Sequence, residues 1–297
     1  MRVLVFGATG MLGHRVIREL ASRGHTVAAT SREGVAAQAL SPRYLSGVDA
    51  WEEFSVDSVR PLGNMLDRMR PEAVVNAIGL VKQRKEADLA VPAIRVNALF
   101  PQELAAACRQ RRIRVVHVST DCVFSGRRGQ YVEPDVPDAL DLYGRTKALG
   151  EIDGAGCVTL RTSMIGWELR GRNGLLEWLG SQRGMRIRGF RRAIFSGLSA
   201  AEVARVIGNL LDRWPALDGL WHVSASAISK YDLLTGMRDA LGWRDIVIEP
   251  DDEFCCDRSL NSERFRKATD WEAPEWPPML GELASDRAGY DSEGAAA

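Results

Sequence analysis

Over its first 165 residues the chain alternates between two textures. Short β-branched runs at Val3–Phe6, Thr26–Ala29, Ala73–Ile78, Val115–Val118 and Val158–Leu160 predict buried strands. Between them apolar residues return at helical spacing. Leu12, Val16, Ile17 and Leu20 share one face of a helix that Gly24 can end, and Leu99, Leu104, Ala107 and Cys108 mark another. Strands alternating with helices imply βαβ units and a parallel sheet covered on both faces.

After Arg161 the rhythm loosens. "SAAEVARVIGNLLDRW" predicts an amphipathic helix and "GLWHVS" a strand, and "SKYDLLTGMRDALG" predicts a helix with Ser229 as its N-cap. The prolines of "APEWPPML" argue against regular structure there, and "SDRAGYDSEGAAA" reads as a frayed tail. No internal repeat or low-complexity linker separates the halves, so the second half is expected to pack on the first. The fold class expected is α/β: a Rossmann-type doubly wound parallel sheet with a smaller C-terminal α/β region. Residues 1–165 would form the dinucleotide-binding domain, with segments near 193–225 returning to it. Residues 166–283 would form the second region and 284–297 the tail.

Composition narrows the function classes. The 297 residues carry 39 basic and 39 acidic side chains, so no global field draws the protein to nucleic acid or to an anionic membrane. The opening "MRVLVFGATG" is too short an apolar run, and too soon broken by glycine, to act as a signal peptide; no run approaches a membrane span. The five cysteines show no metal-ligand spacing, which predicts reduced thiols, a cytoplasmic location and no metal site.

Three strand ends carry the candidate chemistry. "VLVFGATGMLGHRV" places Gly7, Gly10 and Gly13 between a strand and a helix, where a dinucleotide pyrophosphate can approach main-chain N–H groups. Thr9, Met11 and Leu12 belong to the same loop. At the next strand end stand Thr30, Ser31 and Arg32, with no carboxylate before Glu33. A hydroxyl and a guanidinium suit a ribose 2′-phosphate, which favours NADPH and leaves NADH possible; otherwise Arg32 is a solvated loop residue. Arg15 is a candidate second cation. Asn76, Ala77 and Gly79 end a third strand with small groups that leave room for ribose and nicotinamide. Asn97, inside a helical pattern, either breaks the helix and orients a water or faces the surface. Tyr143 and Lys147, at i and i+4, share a helix face, where a nearby ammonium would lower the phenol pKa.

"GATGMLG", "NAIG", "STDCVFSG" and "YGRTK" stand in the order and approximate spacing of the extended short-chain dehydrogenases/reductases. From Met1 to about Leu280 the chain resembles the dTDP-4-dehydrorhamnose reductase family, which reduces 4-keto-6-deoxy sugar nucleotides. The resemblance implies a catalytic set of Thr120, Tyr143 and Lys147, with Tyr143 protonating the C4 oxygen. Lys147 would hold the nicotinamide ribose, Thr120 the sugar oxygen, and Asp121 the sugar or its neighbours, with Ser119 beside the cofactor. Residues 166–283 would bind the sugar nucleotide, and Cys122, Val123, Phe124, Arg188, Arg191 and Arg258 are substrate-side candidates. Lys82 either meets a ligand phosphate or is a solvated lysine. Trp178, Phe190 and Trp221 are candidates for stacking on the base, or core residues. Cys122 departs from the family's usual tyrosine.

Two rivals share the fold: a sugar-nucleotide epimerase or dehydratase, and a regulatory subunit that binds dinucleotide without turnover. An intact Thr120, Tyr143 and Lys147 argues against the second. Against a dehydratase stands the single carboxylate of Asp121, followed by a thiol where an acid–base pair would be needed. A nucleotide-sugar substrate is expected as partner, with no nucleic acid and no membrane, and a homodimer is possible.

Overall fold

The computed structural model describes residues 1–57, 62–82, 88–171 and 173–294. The first half builds strands β1 (Arg2–Phe6), β2 (Thr26–Ser31), β3 (Ala50–Glu53), β4 (Ala73–Asn76), β5 (Arg114–Thr120) and β6 (Cys157–Thr162). Between them run helices α1 (Gly13–Ser22), α2 (Pro42–Leu45), α3 (Leu62–Met69), α4 (Ala90–Ile94), α5 (Phe100–Arg109) and α6 (Leu142–Leu149). A π-helical turn, Arg95–Leu99, joins α4 to α5. The second half adds β7 (Met164–Ile165), α7 (Leu175–Gly180), β8 (Arg186–Phe190), β9 (Ala193–Phe195), β10 (Leu198–Ser199) and α8 (Ala200–Asp212). It ends with β11 (Gly219–His222), β12 (Ile228–Ser229), α9 (Lys230–Ala240), β13 (Val247–Asp251), β14 (Cys256–Asp257), α10 (Glu263–Thr269) and α11 (Trp276–Gly294).

Seven parallel strands form one sheet in the order β11-β6-β5-β4-β1-β2-β3. Strand side chains alternate between the faces, so each run feeds two cores. Val3, Val5, Val27, Val75 and Val116 pack with Val16, Ile17 and Leu20 of α1 and Val206 and Ile207 of α8. Leu4, Phe6, Val74 and Val115 turn the other way, onto Met65 and Leu66 of α3 and Phe100, Leu104 and Cys108 of α5. Each such fully buried aliphatic or Phe side chain contributes ~1.5–3 kcal/mol. Burial on both faces explains why the strands read as continuous apolar runs.

The order reverses between β1 and β4, since β2 and β3 lie on one side of β1 while β4, β5 and β6 lie on the other. Open α/β sheets bind ligands outside the carboxyl ends of the strands at such a switch point. The glycine loop follows β1 there, across from Ala77 after β4.

Smaller strand groups stand above this edge. β8 pairs with β13, and β9 lies between β12 and β14. Their apolar residues Ile187, Phe195 and Ile248, with Leu176 of α7 and Leu233 and Met237 of α9, join the α1-side core. The second half therefore packs on the first without a gap, while β11 returns to the main sheet beside β6.

Two expectations for the C-terminal segment are corrected. Pro277 and Pro278 lie in the first turn of α11, where helix N–H groups need no partner, so they start a helix instead of preventing one. Residues 284–294 continue that helix and do not fray from the body: Asp286 pairs with Arg15 at 2.8 Å, and Tyr290 stacks on Tyr44. Among the described residues no helix is long and apolar enough to cross a membrane.

Candidate active site

The glycine loop depends on backbone proximity. Gly7 has φ +83°, and a Cβ at Gly13 would overlap the Gly7 carbonyl oxygen, so α1 begins hard against the loop. The main-chain N–H groups of Thr9, Met11 and Leu12 donate to no protein group among the described residues. They form a cradle for an anion ahead of the positive end of α1. At the end of β2 the Ser31 hydroxyl donates to Gly34 O, and it accepts from Glu33 N–H. Arg32 is exposed, with no partner among the described residues, while Arg170 holds the Glu33 carboxylate at 2.7 Å. Arg15 does not face this site: Asp286 and Glu282 of α11 hold it.

At the end of β4, Asn76 is buried and bound to His117 Nδ1 at 3.1 Å, and its carbonyl accepts from Ile78 N–H. Asn97 is wholly buried in the π-helical turn. Its amide clamps both polar groups of the Leu80 main chain and reaches Thr146 Oγ1. The helix widens into a π turn there and does not break, the amide is used on backbone, and the side chain does not face the surface.

The end of β5 meets the start of α6. Thr120 Oγ1 donates to Asp121 Oδ1 and caps the following turn by accepting from Cys122 N–H. Asp141 caps α6 by accepting from Gly144 N–H at 2.9 Å. A side chain at position 144 would overlap the Cys122 carbonyl oxygen, so glycine lets the helix dock backbone-first on the strand end. That docking brings Tyr143 within hydrogen-bonding reach of the Thr120 hydroxyl.

The electrostatics differ from the expectation for the phenol. Burial, followed by the neighbouring Cys122, raises the Tyr143 pKa, and the Thr120 hydrogen bond offsets this only in part. Lys147 does not lower it. Its ammonium is buried and donates to Val118 O at 2.7 Å, and burial brings the lysine down to about 8. Burial also raises Asp121, against the pull of Cys122, Thr120, Arg258 and Lys230, and pushes the Cys122 thiol up to about 12.

Several candidates sit elsewhere than expected. Ser119 donates to Glu151 at 2.7 Å, and Glu151 also takes a two-pronged pair from Arg161, so this serine serves a buried network behind the strand. Val123 and Phe124, expected at the substrate, are fully buried; Phe124 stacks on Tyr131 with ring centres 4.1 Å apart. They support the strand end from below. Lys82 is paired with Asp141 at 3.0 Å rather than simply solvated. Arg188 pairs with Asp251 and Glu253, and Arg191 leans on Asp252 and the Tyr231 ring. Trp221 is core, packed on Phe265 and covered by Arg264. Arg258 is well placed: its Nε donates to Phe124 O at 2.8 Å, and its charge faces Cys122 and Asp121.

Lys230, which sequence reasoning missed, is half-buried at the first position of α9 with its ammonium 4.1 Å from the Phe195 ring centre. It has no hydrogen-bond or ion-pair partner among the described residues, and the Asp121 carboxyl and the Cys122 and Cys256 thiols lie near it. No local motif could have flagged it. It arrives through the β12–β9–β14 sheet. Glu151 was legible, standing four residues after Lys147.

The profile of the RmlD substrate binding domain family matches residues 1–255. The chain belongs to that family. It is 36% identical over 151 residues to a dTDP-4-keto-6-deoxy-D-glucose reductase of Streptomyces niveus, covering 50% of this chain and 46% of the relative. The chain thus spans about half the length of that relative. A probable low-salt glycan biosynthesis reductase of Haloferax volcanii is 28% identical over 261 residues, 84% of this chain and 83% of that one. Among solved structures, a dTDP-4-dehydrorhamnose reductase of Bacillus anthracis in complex with NADP superposes with a TM-score of 0.77 at 20% identity, covering 96% of this chain and 99% of that one. That likeness shows the fold: the doubly wound parallel sheet read from the alternating runs is shared with the RmlD-family structure.

Proposed function

We propose that the protein is an NADPH-dependent reductase of a nucleotide-linked 4-keto-6-deoxyhexose. The observation that carries this is the docking of Tyr143 beside Thr120 at the end of β5, with Lys147 buried one turn on, at the sheet edge that holds the glycine loop. The names of relatives, reductases of this substrate class, support it. Residues 1–165, with β11 and α8, would hold the dinucleotide, and residues 166–283 mainly the sugar nucleotide.

The chain's own groups fit a dinucleotide. The free N–H groups of Thr9, Met11 and Leu12 suit its pyrophosphate. Exposed Arg32 suits a 2′-phosphate, and the acid nearest to it, Glu33, is neutralised by Arg170. NADPH is therefore favoured and NADH remains possible. When bound, the nicotinamide supplies hydride for the C4 carbonyl. Tyr143 gives its phenol proton to the C4 oxygen, for which a raised pKa keeps it protonated. The resulting phenolate regains a proton from solvent. Lys147 stays cationic below about pH 8 and orients the cofactor's ribose. Lys230 and Arg258 receive the diphosphate, since both act on Asp121 at the strand end and neither is bonded to a carboxylate among the described residues.

Two copies would meet through α4, the π-helical turn and α6, which carry the exposed apolar residues Leu89 (57% exposed), Val91 (68%), Leu99 (49%) and Leu149 (67%). A cytoplasmic location is part of the same reading. The test supplies 4-keto-6-deoxy sugar nucleotides carrying dTDP, UDP and GDP and follows loss of NADPH absorbance. One NADPH consumed per sugar is expected with one of them. No turnover with any, or formation of a 4-keto sugar from an intact hexose nucleotide, removes the assignment.

A further inference from the structure

The last helix ends behind the glycine loop. Tyr290 stacks on Tyr44 with ring centres 4.5 Å apart, and His14 meets both rings edge-on. His14 is fully buried, with Nδ1 2.8 Å from Gly10 O and Nε2 2.6 Å from the Tyr290 hydroxyl. A carbonyl oxygen only accepts, so Nδ1 carries the proton, and Nε2 accepts from the Tyr290 O–H. Burial keeps the ring neutral, with its pKa pushed down to about 3. Further bonds fasten α11: Arg15 to Asp286 and Glu282, Arg205 to Glu282, and Trp167 Nε1 to Leu283 O.

The pinned carbonyl belongs to the same rigid peptide unit as the Met11 N–H. In a trans peptide the two point in opposite directions. Holding Gly10 O inward on His14 therefore holds the Met11 N–H away from His14, unbonded within the protein like those of Thr9 and Leu12. The other partner of Gly10 O, the His14 main-chain N–H, is a long 3.4 Å away, so the imidazole dominates.

We infer that Tyr290 and His14 are positioning residues for dinucleotide binding: the end of α11 sets the orientation of the Gly10–Met11 peptide through the His14 ring. This rests on the proposed function only in that the loop receives a dinucleotide; the sugar substrate does not enter it. Coupling of this kind is reciprocal, so a bound dinucleotide must in turn hold α11.

The test uses the full chain and measures NADPH affinity directly by fluorescence titration. Tyr290→Phe keeps the stack on Tyr44 but removes the donor. Its NADPH Kd should rise roughly five- to tenfold, as for one lost hydrogen bond, with kcat at saturating cofactor little changed. In the unmodified protein NADPH should slow hydrogen exchange along 284–290, and in Tyr290→Phe exchange of the bonded Gly10 and His14 amides should speed up. An unchanged Kd in Tyr290→Phe, with only thermal stability lowered, overturns the inference. Should the variant not fold, cofactor-independent exchange at 284–290 in the unmodified protein overturns it equally. If the unmodified protein binds no dinucleotide, the proposed function fails instead; the Gly10 and His14 exchange comparison still decides whether Tyr290 orders the loop.

Discussion

Replacing Lys147 with Met should stabilise the protein at neutral pH while abolishing its activity. The side chain is 4% exposed, and its pKa falls from 10.5 to about 8, chiefly through burial. At ~1.4 kcal/mol per pH unit, holding the charged form inside costs the fold ~3 kcal/mol at pH 7. Methionine fills similar volume without that charge, but it leaves Val118 O without its 2.7 Å donor, a loss of ~1–2 kcal/mol. The net gain is ~1–2 kcal/mol, or a few degrees in Tm for a chain of this size. The pH dependence gives the sign. The folded-state pKa lies below the unfolded one, so between about 8 and 10.5 the unfolded chain binds the extra proton, and stability rises with pH. Below about 8 the penalty is complete, and above 10.5 it is gone. Urea unfolding of both proteins from pH 7 to 10.5 should therefore show the Met variant ahead at pH 7, its lead shrinking and then reversing as the neutral lysine keeps its hydrogen bond. A Met variant less stable than the parent at pH 7, or a difference that does not change with pH, would refute the cost assigned to the buried charge.

Tyr143→Phe should lower kcat roughly 10²–10⁴-fold with NADPH affinity unchanged, because the phenol acts on the reacting oxygen; near-normal kcat means another group is the acid. Arg32→Ala should narrow the preference for NADPH over NADH, as read by calorimetry, and equal affinities in the parent remove its warrant. Lys230→Met should raise the sugar-nucleotide KM at least roughly tenfold and leave the cofactor KM alone, as expected for an uncompensated cation that meets an anion; an effect confined to stability assigns Lys230 to the Phe195 contact.

The main sheet was legible because its strands are buried on both faces and announce themselves as apolar runs. β3 was not, since Ala50–Glu53 is a half-exposed edge strand carrying two glutamates. The glycine loop and the Tyr143–Lys147 pair were legible because each is a local spacing. What the sequence could not supply is where a side chain points. Ser119, Val123 and Phe124 stand in the right motif, yet one feeds Glu151 and the others the core. Lys230 and Tyr290 reach their places through contacts with residues more than a hundred positions away. Asp121 and Cys122 lie near Lys230, and His14 binds Tyr290. The tail was misread for the same reason: "SDRAGYDSEG" is polar by composition, and its single tyrosine finds a buried histidine near the other end of the chain.

The corner where β5 ends bears on which chemistry the site can run. Thr120, Asp121, Cys122 and Tyr143 lie together, but they are not equivalent as proton carriers. With the Cys122 thiol pushed up to about 12, it stays protonated at neutral pH and cannot act as a base. Asp121 is occupied by the Thr120 hydroxyl and faced by Arg258 and Lys230, so it is placed to fix neighbours rather than to move along a sugar ring. That leaves Tyr143, protonated and beside Thr120, as the group poised to give a proton at a single oxygen. An elimination needs a base at one carbon and an acid at the next, while reduction of a carbonyl needs only one proton beside the hydride. The same cysteine that departs from the family's usual tyrosine thus supports the reductase reading against the dehydratase. Its neutral thiol leaves Asp121 as the single carboxylate of the strand end.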